Sequence, residues 1–143
     1  MRLTQYTDYA LRLLIYLGSV STGRLASIGE IAQVYNLSSN HLSKIVHQLA
    51  QEGFIETIRG RNGGIRLAGL PENINIGQVV RFTEDGLQIV DCFRNGDCVI
   101  NPVCTLKSVL YEAGQAFYQV LDQYTLQDLV SNQGALRSYL QLE

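Results

Sequence analysis

The three cysteines of the chain, which are all the cysteine it has, fall within thirteen positions. Cys92, Cys98 and Cys104 follow a C-x5-C-x5-C spacing. The residues between them include glycine, proline, asparagine and aspartate, so the segment predicts a loop. Three thiolates can hold an iron–sulfur cluster if a fourth ligand comes from elsewhere. An odd number of cysteines argues against a closed set of disulfides, and we therefore expect this loop to be a chemical site.

Two other uses of the thiols stay open on the residues alone. They could form a thiol-based redox switch, or they could bind zinc. Zinc sites usually contain closely spaced ligands such as C-x2-C, and that spacing is absent from the sequence. An enzyme is the least favoured interpretation, because no nucleophile–base pair is visible and residues 61–64 fit a hairpin turn better than a phosphate-binding loop.

Length and composition predict a folded protein without a membrane span. The 143 residues suffice for one compact domain or two small ones that share a core, and 46% of them are hydrophobic. No stretch approaches the ~20 apolar residues that a membrane helix needs. The short apolar run at 13–17 follows Asp8 and Arg12 and has helical spacing, which favours a buried helix over a signal peptide. We expect a cytoplasmic protein, where free thiols persist.

Charge is divided unevenly along the chain. The formal net charge is −2, but residues 1–70 carry a net +3 and residues 71–143 a net −5. A basic half on an acidic chain indicates a polyanionic partner for the first half only.

The first 68 residues predict the order helix, helix, turn, helix and hairpin. That order is the winged helix-turn-helix, and a generic small α+β domain is the alternative. The signals are apolar residues at three- and four-residue steps, a Ser/Thr-x-x-Glu capping box and an Arg-Asn-Gly-Gly turn. The predicted elements are a helix at 8–19 with Thr7 as N-cap, a short helix after the Ser27–Glu30 capping box, a helix at 40–52 capped by Ser38 or Ser39, and strands at 54–58 and 65–67.

The exposed positions of this unit have the chemistry of a DNA interface. The third helix begins with hydroxyl, amide and backbone N–H groups, which suit phosphates and base edges. The hairpin places two arginines beside a glycine-rich tip, where no side chain obstructs close approach to a groove. The candidate DNA-binding residues are Ser38, Ser39, Asn40, His41, Lys44, Arg59, Gly60, Arg61 and Asn62.

The second half predicts a linker, a short helix at 76–84, the cysteine loop and a long helix at 105–124. Apolar residues recur at three- and four-residue steps along the long helix, which indicates a dimer interface or a core helix of one subunit. A last helix is expected at 135–142. The predicted fold class is therefore mainly α with a small β-hairpin wing. The expected units are 1–68 for DNA binding, 69–104 for the linker helix and cysteine loop, and 105–143 for dimerisation and the tail.

Taken in order, these motifs resemble those of the winged-helix iron–sulfur transcription regulators, and the resemblance covers nearly the whole chain. A capping box alone is unspecific, but the start motif, the arginine–glycine wing and the cysteine triplet in this order are together highly specific. The stretches that carry the resemblance are Leu3–Arg12, Ile28–Ala32, Leu42–Val46, Arg59–Leu67, Ile76–Val80 and the three cysteines.

The resemblance implies a dimeric, DNA-binding repressor that carries an iron–sulfur cluster. Within the family it favours the nitric-oxide-responsive branch, because members that control cluster assembly carry a histidine where this chain has Lys107. It implies a cluster held by Cys92, Cys98 and Cys104 of one subunit and by Asp8 of the other, with [4Fe–4S] favoured over [2Fe–2S]. The implied partners are a double-stranded DNA operator, a second copy of the chain, and nitric oxide as the signal.

Two alternatives to this assignment stay open. Asp8 lies at the start of a predicted helix, where its charge also fits simple compensation of the helix dipole. Another branch of the family, responding to iron or to redox state, is the second possibility.

Overall fold

The structure, a computed structural model, describes residues 1–142. It is mostly helical with one two-stranded antiparallel sheet, which confirms the predicted fold class. The elements are α1 Gln5–Ser19, α2 Ile28–Tyr35, α3 Ser39–Gln51, β1 Ile55–Ile58, β2 Gly64–Leu67, α4 Ile76–Glu84, α5 Thr105–Leu121, α6 Leu126–Leu129 and α7 Gln133–Tyr139.

The first helix begins one turn earlier than the sequence predicts. Thr4, not Thr7, is the N-cap, and its hydroxyl oxygen accepts the backbone N–H of Thr7 at 3.2 Å. Thr7 is fully buried, and its own hydroxyl faces the end of α4, where Thr83 Oγ1 lies 2.8 Å away. The prediction of Thr7 as N-cap was wrong because a contact with α4, distant in sequence, occupies that side chain.

The other helix starts of the first half agree with their sequence signals. Ser27 and Glu30 form both halves of the predicted capping box at the start of α2. Ser38 caps α3, and Gly53 follows its end with φ of +84°, as a helix-terminating glycine should. Asn36 ends α2 in the left-handed conformation, and this tight turn sets α3 against α2.

The core forms around α1, whose buried face contacts α3, α4 and α6. Because the helical period returns every three or four residues, the apolar positions of α1 line up on one side and exclude water together. The fully buried large side chains of these helices are Leu13, Leu14, Tyr16, Leu42, Ile45, Leu49, Val79, Val80 and Leu126.

The hairpin is attached to this core by one edge. Its strands pair in the register Ile55↔Leu67 to Ile58↔Gly64, and Ile55 and Ile65 are buried. The backbone of Ala26 pairs with Ile65 beside the sheet. The tip stays outside the core, and Gly63 is required there because a Cβ atom would collide with the carbonyl oxygen of Ile58.

The start of α4 is joined to the end of α5. Asn75 Nδ2, just before α4, donates to the carbonyl of Asp122 at 2.8 Å, and Arg81, in the last turn of α4, forms an ion pair with the Asp122 carboxylate. Gly77 permits this approach, since a Cβ atom would collide with the Asp122 carboxylate. The predicted bounds of α4 are confirmed, whereas α5 ends at Leu121, three residues early, where the chain turns back towards α4.

The C-terminal segment packs on the end of α1. Gln133 Nε2 donates to the carbonyl of Gly18 at 3.2 Å, and Arg137 Nε donates to that of Ser19 at 3.0 Å. These bonds satisfy carbonyls that a helix end leaves without intrahelical partners. The predicted last helix exists, but it spans Gln133–Tyr139 instead of 135–142. Within residues 1–142, no helix is both long and apolar enough to cross a membrane.

Candidate DNA interface and cysteine centre

The N-terminal end of α3 projects polar groups to solvent. Ser38, Ser39, Asn40 and His41 are all exposed, and Ser38 Oγ accepts the N–H of His41 at 3.5 Å. Lys44 is exposed one turn further along, while Leu42 and Ile45 face the core. The helix is therefore held from behind by apolar packing and presents donors and acceptors outward, as a helix that enters the major groove must.

The wing presents two unpaired arginines. Arg59 and Arg61 are exposed, and neither makes an ion pair or side-chain hydrogen bond with any residue in the described range 1–142. Arg66, on β2, instead pairs with Glu56 across the sheet at 2.9 Å. Gly60 adopts a φ of +104° between the two free arginines. The tip thus carries two positive charges that are available to a polyanion.

Behind α3 lies a cluster of aromatic rings around Arg12, which the sequence did not reveal as a unit. The guanidinium lies 6.0 Å from the centre of the Tyr9 ring and 5.8 Å from that of Tyr35. Tyr9 in turn contacts the ring of His41 at 6.5 Å between centroids. Burial raises the pKa of Tyr35 to about 12, and its hydroxyl donates to the carbonyl of Arg12.

Asp8 lies at the outer side of this cluster. Its side chain is 46% exposed and accepts a hydrogen bond from Arg12 Nε at 3.0 Å. The pairing follows from their i, i+4 spacing, which places them on one face of α1. Asp8 does not lie with the cysteines of its own chain in any group able to hold a metal.

The three cysteines are free thiols on one irregular segment. Cys92 lies in a short 3-10 turn, Cys104 immediately precedes α5, and both are partly exposed, whereas Cys98 is exposed between them. The loop prediction is therefore confirmed. Within residues 1–142, no three His, Cys, Asp or Glu side chains stand close enough together to hold a metal ion. One chain presents the ligands without assembling them.

The donor set nevertheless fits an iron–sulfur cluster. Three thiols, none in a disulfide, are the ligand type that such clusters take. A cavity of about 520 Å³ opens between the loop and α5, with Cys104 in its wall. Lys107 borders it and donates to Asn101 Oδ1 at 3.0 Å. The other lining residues are mostly apolar, including Leu87, Phe93, Tyr111, Gly114 and Tyr118.

The carboxylate of Glu84 connects α1 to the start of the cysteine loop, and sequence reasoning missed it. Glu84 Oε2 accepts the backbone N–H of Thr4 at 3.0 Å, the hydroxyl of Thr4 at 2.7 Å and the hydroxyl of Thr7. Burial alone would raise the pKa of Glu84, but these hydrogen bonds outweigh it and lower the pKa below its usual range. Only the three-dimensional contact, across about eighty residues of sequence, reveals this group.

The long helix α5 leaves part of its predicted apolar face exposed. Leu106 is 61% exposed, Val109 51% and Val120 53%. The side that packs on the body carries Gly114 and Tyr118 instead. Leu106, Val109 and Val120 form an exposed apolar stripe on a helix that also packs on the core through Phe117 and Leu121.

The comparisons with known proteins now decide the family. A family model described as Rrf2, iron-dependent transcriptional regulator, matches residues 3–132. The chain belongs to the Rrf2 family. Proteins named HTH-type transcriptional regulator NsrR are similar to it over its whole length. The relatives from Halalkalibacterium halodurans and Bacillus subtilis are each 53% identical over 145 aligned positions, covering 100% of this chain and 99% of theirs.

Solved Rrf2-like structures share the fold. The B. subtilis global cysteine regulator CymR superposes with a TM-score of 0.73 and 27% identity, over 92% of this chain and 98% of that one. A protein described as T. potens IscR superposes with a TM-score of 0.75 at 23% identity, over 92% of this chain and 88% of that one. The winged-helix regulator fold is thereby confirmed.

Membership of the Rrf2 family confirms a transcriptional regulator, not an enzyme, since the relatives carry regulator names. Such a regulator binds DNA, and the iron dependence of the family supports an iron–sulfur cluster as the class of cofactor.

Proposed function

We propose that the protein is a homodimeric repressor that binds operator DNA through α3 and the wing, and that it loses this affinity when nitric oxide attacks a [4Fe–4S] cluster. The observation that carries the proposal is the set of three free thiols on one open loop, in a chain that matches NsrR proteins from end to end. Because such a regulator acts on the chromosome, we also place it in the cytoplasm.

The DNA interface rests on exposed groups, most of which have no side-chain hydrogen-bond partner within residues 1–142. The α3 start supplies Ser38, Ser39, Asn40 and His41, and the wing supplies Arg59 and Arg61. Side chains that have no intramolecular partner lose little when they bind phosphate or base edges. Lys44, Gly60 and Asn62 complete the proposed surface.

The dimer rests on the exposed stripe of α5. A contiguous apolar surface that a monomer leaves in water marks an interaction site. Two copies of the stripe related by a two-fold axis would cover one another. The apolar residues Val99, Ile100 and Val103, at the end of the cysteine loop, are also exposed.

The cluster site is completed by the second subunit. Within residues 1–142, Asp8 does not join the cysteines of its own chain in a group able to hold a metal, and its half-exposed side chain could reach a neighbouring subunit. We assign Cys92, Cys98 and Cys104 of one subunit and Asp8 of the other as ligands. Arg12 Nε donates to Asp8 Oδ1, so Oδ2 is the oxygen that we assign as the ligand atom. When bound, the cluster supplies iron that reacts with nitric oxide, most readily where a hard oxygen is the ligand.

Spectroscopy with metal analysis tests the proposal. Protein purified without oxygen should show a broad visible absorption band, with iron and sulfide at about four of each per chain if the cluster is [4Fe–4S]. About two iron and two sulfide ions per chain would instead indicate a [2Fe–2S] cluster. Colourless protein with one zinc per chain, or reversible disulfides without iron, would reject the cluster.

A thiol redox switch is the second candidate. It is favoured by one observation, the exposure of Cys98 as a free thiol. It predicts that operator affinity follows the thiol–disulfide state in iron-free protein, whereas the cluster proposal predicts no such dependence.

A further inference from the structure

We infer that Glu84 acts as a latch that couples the two cluster sites of the dimer. This inference rests on the proposed function, since it needs cysteines from one subunit and Asp8 from the other. Glu84 is not a ligand in this account. Its carboxylate holds the helix that carries Asp8 against the start of the cysteine loop of the same chain.

The latch consists of three hydrogen bonds to one oxygen. Glu84 Oε2 accepts from the backbone N–H and the hydroxyl of Thr4 and from the hydroxyl of Thr7. Thr7 is fully buried, and Thr83 Oγ1, itself donating to the carbonyl of Val79, lies 2.8 Å from the Thr7 hydroxyl. Bonds to an ionised acceptor are about twice as strong as neutral ones, so this contact fixes the first turn of α1.

The position of the latch links two functional segments. Glu84 is the last residue of α4, and Asp85 and Gly86 then turn the chain into the cysteine loop with φ of +50° and +84°. On the other side, Thr7 precedes Asp8 directly. The start of the loop and the proposed external ligand are therefore held by the same carboxylate.

Two-fold symmetry turns this link into coupling between sites. The first cluster would order the loop of one subunit and Asp8 of the other. In the subunit whose loop is ordered, Glu84 then also holds that subunit's own Asp8 in place. In the other subunit, whose Asp8 is ordered, Glu84 also holds the start of the cysteine loop in place. The empty site consists of that loop and that Asp8, and both are already ordered. The second cluster therefore loses less conformational entropy on binding than the first.

Native mass spectrometry of partly loaded dimers tests the latch, because it counts dimers with zero, one and two clusters. At half loading, independent sites give single-cluster dimers as roughly half of the population, and positive coupling of ~5-fold lowers this to about a third. We expect the lower value for the unaltered protein. We expect about half for Glu84→Ala, which removes the carboxylate, and for Thr7→Val, which removes one hydroxyl at constant shape.

Glu72→Ala is the matched control, because Glu72 is an exposed glutamate outside the latch, and it should keep the distribution of the unaltered protein. Hydrogen exchange of the cluster-free dimer gives a second readout. The Thr4 amide should exchange roughly tenfold faster in Glu84→Ala and unchanged in Glu72→Ala.

Independent loading in the unaltered protein, or coupling that persists in both latch variants, would overturn the inference. If Glu84→Ala does not fold, Thr7→Val decides it. If the unaltered protein takes up no cluster at all, the proposed function fails and the inference falls with it. A normal cluster with independent sites rejects the latch alone.

Discussion

Arg59 and Arg61 differ from the third arginine of the wing in having no partner within residues 1–142. Arg66 is held by Glu56 at 2.9 Å, so its charge is already compensated in the free protein. Arg59 lies on the approach to the tip and Arg61 on its far side, with Gly60 between them. We therefore expect the two free arginines to have separate roles on DNA, one in a groove and one on a phosphate.

The first prediction assigns the groove to Arg59. Arg59→Ala should weaken operator binding by roughly 1–3 kcal/mol and leave random DNA almost unaffected. Arg61→Ala should weaken both and reduce the slope of log affinity against log salt by about one unit. Fluorescence anisotropy across a salt series measures both quantities. Arg66→Ala is the control and should change little, and equal losses on operator and random DNA for Arg59→Ala would reject the assignment.

The role of a single residue could be predicted where its signal is local in sequence. Ser27 and Glu30 are three residues apart and satisfy each other's capping groups, so the sequence alone identified them. Thr4 and Thr7 are both able to cap α1, and the burial of Thr7 beside Thr83 distinguishes them. A contact between residues so distant in sequence produces no local motif or periodic pattern. The sequence therefore misassigned the N-cap of α1 and did not predict the role of Glu84.

At the scale of elements, the junction of α4 and α5 depends on one glycine. Gly77 is buried, and a Cβ atom there would collide with the Asp122 carboxylate and stand 3.0 Å from Arg81 Nη1. We predict that Gly77→Ala lowers the free energy of unfolding by about 1 kcal/mol, because it moves the Asp122 carboxylate away from Arg81. Urea denaturation followed by circular dichroism measures the change.

Gly29→Ala is the matched control for that substitution. Gly29 also lies in a helix, but its Cβ would meet only Ser27 Oγ, at an ordinary 3.9 Å. Alanine has the better helix propensity, so this variant should be neutral or slightly more stable. If both variants lose equal stability, the close approach of Gly77 to Asp122 is not the cause.

The exposed stripe of α5 gives a prediction about assembly. Val109→Lys places a charge in the proposed dimer interface and should raise the dimer dissociation constant by about 100-fold or more. Gln119→Lys, at an exposed polar position of the same helix outside the stripe, should leave it unchanged. Sedimentation velocity over a concentration series distinguishes the two. A dimer unaffected by Val109→Lys would place the interface elsewhere.

Most elements could be predicted because their signals are local. The apolar steps of α1, α3 and α5, the capping serines and the hairpin turn all operate within a few residues. The sequence could not tell which side of α5 packs on its own chain, because Gly114 carries no side chain to mark it. The sequence also could not predict how Cys92, Cys98 and Cys104 are arranged in space, because the side-chain positions in an irregular loop depend on tertiary contacts.

At the scale of the whole molecule, the division at 68 and 104 is still a prediction. The C-terminal segment bonds to the end of α1 through Gln133 and Arg137, so the tail and the DNA-binding unit share one core. A change at the dimer interface can therefore reach α3 through packed helices, which is the kind of element a ligand-driven switch requires.

Mixed dimers test whether ligation crosses between subunits. An Asp8→Ala subunit paired with a Cys98→Ala subunit has one site with all four proposed ligands and one site lacking two. We predict about one stable cluster per mixed dimer, measured by iron content and visible absorption after isolation through two different affinity tags. If Asp8 acts within its own chain, neither site is complete, and every cluster should be as unstable as in the Asp8→Ala homodimer.

The most direct test of the central claim is a nitric oxide titration of the cluster-loaded dimer on operator DNA, with absorption and binding followed together. We predict that the visible band changes and that operator affinity falls in step with it, ending at the affinity of Cys98→Ala protein, which should not respond. A spectrum and an affinity that both stay constant throughout the titration would contradict the account.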